Sequence, residues 1–333
     1  MLSSLDPSLR YNSQEAHAAP SEAAKPPSTA LELTREMPAL ASQLQGLIAA
    51  QADLTASVMV VDLERQSYVN LDASRSFSSA STIKLPILVA LLEAVEAGNV
   101  SLEESLTMAE EDIVGEAGEM QFQPPGTQFS VLKTATEMIR ISDNTATNLL
   151  IKRLGGPEQL NARFRSWGLQ QTQLQALLPD LDGLNTTSPK DLVTLLGRLN
   201  RGDLLSAGGR DRLFGILRTT ETSDLLPQGL GPGATIAHKT GNIGKAIGDV
   251  GLVTMPSGKP YVIMAMVERP HGDERADALI RSLSSATYNF LESTEQQSEQ
   301  LVPPNVPRSN IADRETKPDA SMMMTEPQPP GSP

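Results

Sequence analysis

Cysteine is absent from the 333-residue chain, and this excludes disulfides, thiolate nucleophiles and the common cysteine-based zinc sites. Histidine is scarce as well. The three present, His17, His238 and His271, are too scattered to make a paired metal motif, so no metal and no other cofactor is expected. One Trp, four Tyr and six Phe supply few stacking surfaces, and a formal charge of −13 repels a phosphate backbone. Nucleic acid is therefore not an expected partner. No membrane span is expected either: the longest apolar run, residues 85–92, stops at Glu93, far short of the ~20 residues a span requires. The first residues also lack a basic stretch followed by an apolar segment, the pattern of an export signal.

Glycine and proline, at 24 each, gather partly at the two ends. Residues 1–34 and 294–333 are rich in Pro, Ser, Ala, Gln and Glu and have almost no spaced apolar residues, so both are expected to be disordered tails. Residues 35–293 remain as one globular unit, expected to have two lobes and to be a monomer. Within it, 33–51 carries a helical stripe through Met37, Leu40, Leu44, Leu47 and Ile48. Residues 56–63 and 66–71 are short and β-branched and predict a hairpin. Three more strands are expected over 235–239, 246–255 and 259–267, with Pro256-Ser257-Gly258 as a turn, and an amphipathic helix over 273–291.

Between the strand groups the sequence predicts helices over 82–97, 131–141, 145–154, 157–167, 189–199 and 206–217. Pro157 and Pro189 stand near helix starts, and Gly98, Gly155 and Gly168 just past helix ends. The order of helix, two strands, helical block, three strands and helix points to an α+β fold. Its expected form is an antiparallel five-stranded sheet flanked by the terminal helices, plus an all-helical lobe, with a cleft between.

Ser81-Thr82-Ile83-Lys84 opens an apolar helix and sets a hydroxyl and an amine three residues apart on one face. A lysine whose pKa is lowered can take the proton of such a serine, and the helix N-terminus offers N–H groups where an oxyanion would form. A second Ser-x-x-Lys stands at Ser130 and Lys133, and either pair alone is read more simply as a capped or solvated helix face. Ser142-Asp143-Asn144 falls between two helices and is also a good helix cap. His238-Lys239-Thr240-Gly241 closes a strand. The run from Gly241 to Lys245 has the wrong spacing for a phosphate loop, with Ala246 where Ser or Thr is required.

Ser81 to Lys84, Ser142 to Asn144 and Lys239 to Gly241, in that order, resemble the penicillin-recognising serine hydrolases and specifically the class A β-lactamases. The stretches ISDNTATNLLIKRLGG, NTTSPKDL and HKTG strengthen the resemblance, which spans about residues 35–292. It implies that Ser81 is the acylated nucleophile and Lys84 its base or proton relay. Ser142 would pass a proton to the leaving nitrogen, and Asn144 would hold Lys84 and the substrate's side-chain amide. Lys239 would supply positive potential, with Thr240 and Gly241 beside it, and the backbone N–H groups of Ser81 and Asn242 the oxyanion hole. The substrate implied is a small β-lactam or a peptidoglycan stem peptide. Such substrates act outside the cytoplasm, which suggests a periplasmic or extracytoplasmic protein; without an export signal in the chain as written, localisation stays open.

The sequence departs from the family in the loop that normally carries a Glu to activate the deacylating water. Residues 168–185 contain no Glu. Asp180 and Asp182 are the only carboxylates there, and are read as turn caps or as substitute bases. Glu116 and Glu119 approach from the Gly-rich segment before the second motif. Asn185 replaces an Asp that closes the loop through an ion pair, and Ile247-Gly248-Asp249 stand where many members have a carboxylate-binding Arg, leaving Lys245 as a point-charge substitute. The expectation is a β-lactamase-like serine hydrolase with slow deacylation. A D-alanyl peptide carboxypeptidase or transpeptidase, an esterase, and a non-catalytic ligand-binding module are the alternatives.

Overall fold

A computed structural model describes residue 31 and residues 33–300, with side chains to residue 296. The tails expected over 1–34 and 294–333 lie largely outside the described residues. The described chain starts earlier than expected, because Thr34 donates its N–H to the carbonyl of Gln66 and Leu33 packs on the core. Described residues up to Phe290 form one compact unit; those from Leu291 onward belong to a second, represented here by the end of the last helix.

In chain order the elements are β1 Arg35–Glu36, α1 Pro38–Ala49, β2 Thr55–Asp62, β3 Ser67–Leu71, β4 Phe77–Ser78, a 3₁₀ turn Ala80–Ile83, and α2 Lys84–Glu96. After β5 Ser105–Thr107 and β6 Gln128–Ser130 come α3 Val131–Arg140, α4 Asn144–Arg153 and α5 Gly156–Ser166. Then follow β7 Thr186–Thr187, α6 Pro189–Arg201, α7 Ala207–Leu217, β8 Thr235–Asn242, β9 Ala246–Thr254, β10 Pro260–Glu268 and α8 Arg275–Gln300.

The main sheet has the order β1-β3-β2-β10-β9-β8. The five expected strands pair antiparallel throughout, and β1, a two-residue strand parallel to β3, adds a short sixth at the edge. β8 reaches Asn242, three residues beyond the expected strand, because the whole Lys239-Thr240-Gly241 motif is paired with β9: Thr240 opposes Asp249 and Gly241 opposes Gly248. α8 extends past residue 291 to Gln300.

In the helical lobe α2 is the central post, buried from Lys84 to Leu92 without a polar face. Such an element is stable only when covered on all sides, and α3, α4, α5 and α7 pack around it. Ile87, Leu88, Leu91, Met138, Leu149, Phe164 and Leu213 join Met59, Val250 and Met264 of the sheet in one apolar cluster, so helices and sheet share a core. Among the described residues no helix is long and apolar enough to cross a membrane.

Candidate active site

Ser81 lies in the 3₁₀ turn that leads into α2, rather than in the α-helix itself. The preceding Ala80 has φ 45°. Ser142 has φ 59°, and Glu116 has φ 70°. These left-handed conformations are uncommon for residues with a Cβ and cluster where surrounding contacts enforce them; here Ala80 and Glu116 line one cleft, and Ser142 bonds Lys84. Gly241 is required by the same crowding: a Cβ there would stand 2.9 Å from the backbone nitrogens of Ser81 and Thr82. The edge strand β8 is thereby brought against the turn that carries Ser81.

Lys84 is fully buried at the start of α2. Its Nζ lies 2.6 Å from the Ser142 carbonyl, 2.8 Å from Asn144 Oδ1, and 3.1 Å from each of Ser81 Oγ and Ser142 Oγ. Burial, reinforced by the nearby Lys239 charge and opposed by Asp143, holds its pKa well below the ordinary lysine range. An ammonium has three protons for these four oxygens. A neutral amine fits them differently: two N–H groups serve Asn144 Oδ1 and the Ser142 carbonyl, and the lone pair is left to accept from a serine hydroxyl. Such an amine can act as a base toward Ser81.

Asp143 caps α4 by accepting from Ala146 N at 2.8 Å, and its second oxygen accepts from the N–H groups of Glu119 and Met120, each at 2.8 Å. The capping expected for the Ser142 to Asn144 motif is therefore real, and it also anchors the preceding Gly-rich loop. Lys239 is buried on β8 and donates to the Thr240 carbonyl at 2.9 Å. Burial lowers its pKa to about 8, with Asp249 acting in the opposite direction.

A cleft of about 310 Å³ is lined by Ala80, Ser81, Asn144, Asn242, Ile243 and Gly244, with Glu116, Ala117, Leu178 to Leu181 and His271. Of the three motifs, Ser81 and Asn144 line it and Asn242 follows the third, whereas Lys84, Ser142, Lys239, Thr240 and Gly241 are not among its lining residues. Asp180 lines the cleft, but its carboxylate is engaged: Oδ1 accepts from Leu184 N at 2.9 Å and Oδ2 from Asn185 N at 2.7 Å. Asp182 is exposed and does not line the cleft; its carbonyl accepts from Lys245 Nζ at 2.6 Å. Lys245, expected near the substrate carboxylate, is thus directed to the loop instead.

The loop over 168–188 closes without the family's ion pair. Asn185 Oδ1 accepts from Gln175 N at 2.6 Å and Ala176 N at 2.9 Å, and the side chain of Asn148 bonds both the N–H and the carbonyl of Leu178. Neutral amides replace charges at the same closure.

Two other arrangements were not evident from the sequence. Arg269, buried at the end of β10, donates to the Gly244 carbonyl at 2.9 Å and to Asn242 Oδ1 at 3.0 Å, and clamps the β8–β9 turn to Asp277. His238 is buried and bonds Asp249 through Nδ1 at 3.0 Å. Sheet register brings Asp249 beneath the third motif, whereas the Arg269 clamp depends on loop geometry that no local pattern encodes. Among the described residues no cluster of His, Cys, Asp or Glu could hold a metal ion.

The mixed α+β fold and a buried lysine between two serines define a β-lactamase-like serine hydrolase. The model of the β-lactamase enzyme family matches residues 39–291, and the chain belongs to that family. Among solved structures, PBP-A is 48% identical, with a TM-score of 0.78, over 79% of this chain and 99% of that one. A PBP-A mutant solved as its acyl-enzyme complex with penicillin G is likewise 48% identical, with a TM-score of 0.77, over 78% of this chain and 98% of that one. The Bacillus licheniformis β-lactamase is 27% identical over 235 residues, 68% of this chain and 76% of that protein.

Proposed function

We propose that the protein is a penicillin-reactive serine hydrolase in which acylation of Ser81 is fast and release of the acyl group is slow. The observation that carries this reading is the position of Lys84 Nζ, 3.1 Å from both Ser81 Oγ and Ser142 Oγ. In acylation, Ser81 Oγ bonds to the β-lactam carbonyl carbon and its proton passes to Lys84. The carbonyl oxygen becomes an oxyanion facing the N–H groups of Ser81 and Asn242. The C–N bond then breaks, and Ser142 delivers a proton to the leaving nitrogen while Lys84 restores the proton of Ser142. Lys239 and Thr240 hold the substrate carboxylate, and Asn144 the amide on the acyl side.

Release requires water to attack the ester carbonyl and regenerate the Ser81 hydroxyl. Among the described cleft-lining residues the carboxylates are Glu116 and Asp180, and those of Asp180 are occupied by backbone N–H groups. General-base catalysis contributes ~10²–10⁴-fold, so the acyl-enzyme should outlive that of a β-lactamase with a loop Glu by a factor of that order. The 48% identity to a PBP-A mutant solved as its acyl-enzyme complex with penicillin G supports the acylation step. A D-alanyl-terminated peptide is the corresponding acyl donor for a carboxypeptidase.

Intact-mass measurement after mixing with benzylpenicillin tests the proposal. A persistent one-to-one adduct in the native protein, absent from Ser81→Ala and retained by Ser130→Ala, is the expected result. Labelling that survives Ser81→Ala would remove the assignment, and rapid steady hydrolysis without an accumulating adduct would remove the slow release.

A further inference from the structure

Glu116 lines the cleft together with Ser81 and Asn144, and stands next to Asn144, the residue assigned above to the acyl-side amide. Lys239, assigned above to the substrate carboxylate, is buried on β8. Asp180 is spent on two backbone N–H groups, Lys84 is buried among its oxygen partners, and His271 lies against Gly244 of the β8–β9 turn. Among the described cleft-lining residues, Glu116 is the acidic side chain whose carboxylate has no hydrogen-bond or ion-pair partner.

The Glu116 side chain is exposed, on a backbone that is tightly held. Asn144 donates its side-chain N–H to the carbonyl of Gly115 at 3.0 Å and its backbone N–H to that of Ala117 at 3.1 Å, bracketing Glu116. Thr145 Oγ1 both donates to the Val114 carbonyl and accepts from the Val114 N–H, each at 3.0 Å, and Asp143 binds the N–H groups of Glu119 and Met120. The backbone of Gly118 runs so close to Asp143 that no Cβ fits there. These contacts fix Glu116 at φ 70°, on a loop tied to the same helix start that carries Ser142 and Asn144. With the backbone fixed, only the side-chain rotamers of Glu116 remain to be ordered when an opposite charge binds it.

We infer that Glu116 is a specificity determinant that selects acyl donors carrying an ammonium group on the acyl side of the scissile bond. The favoured substrate is dipolar, its carboxylate toward Lys239 and its cation toward Glu116. This rests on the acylation reading above and extends it to the substrate's other end.

The test compares two near-isosteric penicillins, ampicillin with its side-chain ammonium and benzylpenicillin without it, below pH 7 so that the ammonium stays protonated. The readout is the ratio of their second-order acylation rates. Glu116→Gln should lower the ampicillin-to-benzylpenicillin ratio by about threefold to tenfold, the range of a partly exposed ion pair, and 1 M salt should lower the wild-type ratio in the same direction. Glu116→Lys should lower it further. An unchanged ratio in Glu116→Gln, including the case in which both rates fall together through loop disturbance, overturns the inference. If wild-type protein is acylated by neither penicillin, the acylation reading itself fails, an outcome distinct from an unchanged ratio.

Discussion

Two lysines with opposite requirements sit within one site. The proposed base, Lys84, works as the neutral amine, and burial favours that form. The proposed carboxylate anchor, Lys239, works as the cation, yet burial brings its pKa down to about 8. The Lys239 charge also discourages charge on Lys84, so protonating Lys239 helps to keep Lys84 neutral. The acylation rate should therefore rise with pH as Lys84 loses its proton, remain high on a plateau, and fall as pH passes through about 8 and Lys239 becomes neutral. Stopped-flow acylation by a chromogenic cephalosporin across pH 5 to 10 checks this, and Lys239→Arg should move the alkaline limb upward because a guanidinium stays charged. An alkaline limb left in place by that substitution would assign it to another group.

At the scale of elements, buried charged side chains hold both the short loop over 168–188, whose start also bonds Asp191, and the β8–β9 turn. Asp180 accepts two backbone N–H groups in the loop, and Arg269 binds the turn at Gly244 and Asn242. Asp180→Asn places an NH₂ where one N–H now donates. It should cost ~1–3 kcal/mol of stability by urea unfolding while leaving the slow deacylation rate within about twofold. A large fall in deacylation with stability preserved would make Asp180 the water-activating base. Arg269→Met should slow acylation by roughly tenfold, because the turn carrying Asn242 loses two of its anchors. The contrast between these residues shows what the sequence made legible. Ser81, Lys84, Ser142, Asn144 and Lys239 were singled out through the resemblance of three motifs to a known family, since either Ser-x-x-Lys pair alone reads as a capped helix face, and helix ends were legible because Ser, Pro and Gly mark them. Arg269 and Asn242 are 27 residues apart and meet only through the packing of two loops. Glu116 was visible as a nearby acid, but its φ and free carboxylate depend on bonds to the far side of the second motif.

For the molecule as a whole, the site sets activity against stability. Lys239 folds with a pKa of about 8, below the ~10.4 of an unfolded lysine, so between these values the unfolded chain binds more protons than the folded one. Stability must then rise with pH across that window, by up to ~1.4 kcal/mol per pH unit for one proton, and Lys84 adds to the slope in the same direction. Tyr261 opposes it at the upper end. Burial raises its pKa, so above about 10 the unfolded chain ionises a tyrosine that the folded chain keeps neutral, and stability is lost. The urea midpoint of the native protein should therefore climb from pH 8 to a maximum near pH 10 and then turn down. Lys239→Met keeps much of the buried volume and removes the charge. At pH 7 it should be more stable than wild type by a few kcal/mol, and the rise between pH 8 and 10 should flatten to what Lys84 contributes. The same variant should lose most of its acylation rate, since nothing else on β8 supplies positive charge to a substrate carboxylate. A Lys239→Met protein that is less stable than wild type at pH 7 would mean that Asp249, at 0% exposure and bonded to His238, depends on the lysine for its charge balance. Because Asp249 raises the Lys239 pKa, Asp249→Asn should make the stability rise begin at a lower pH.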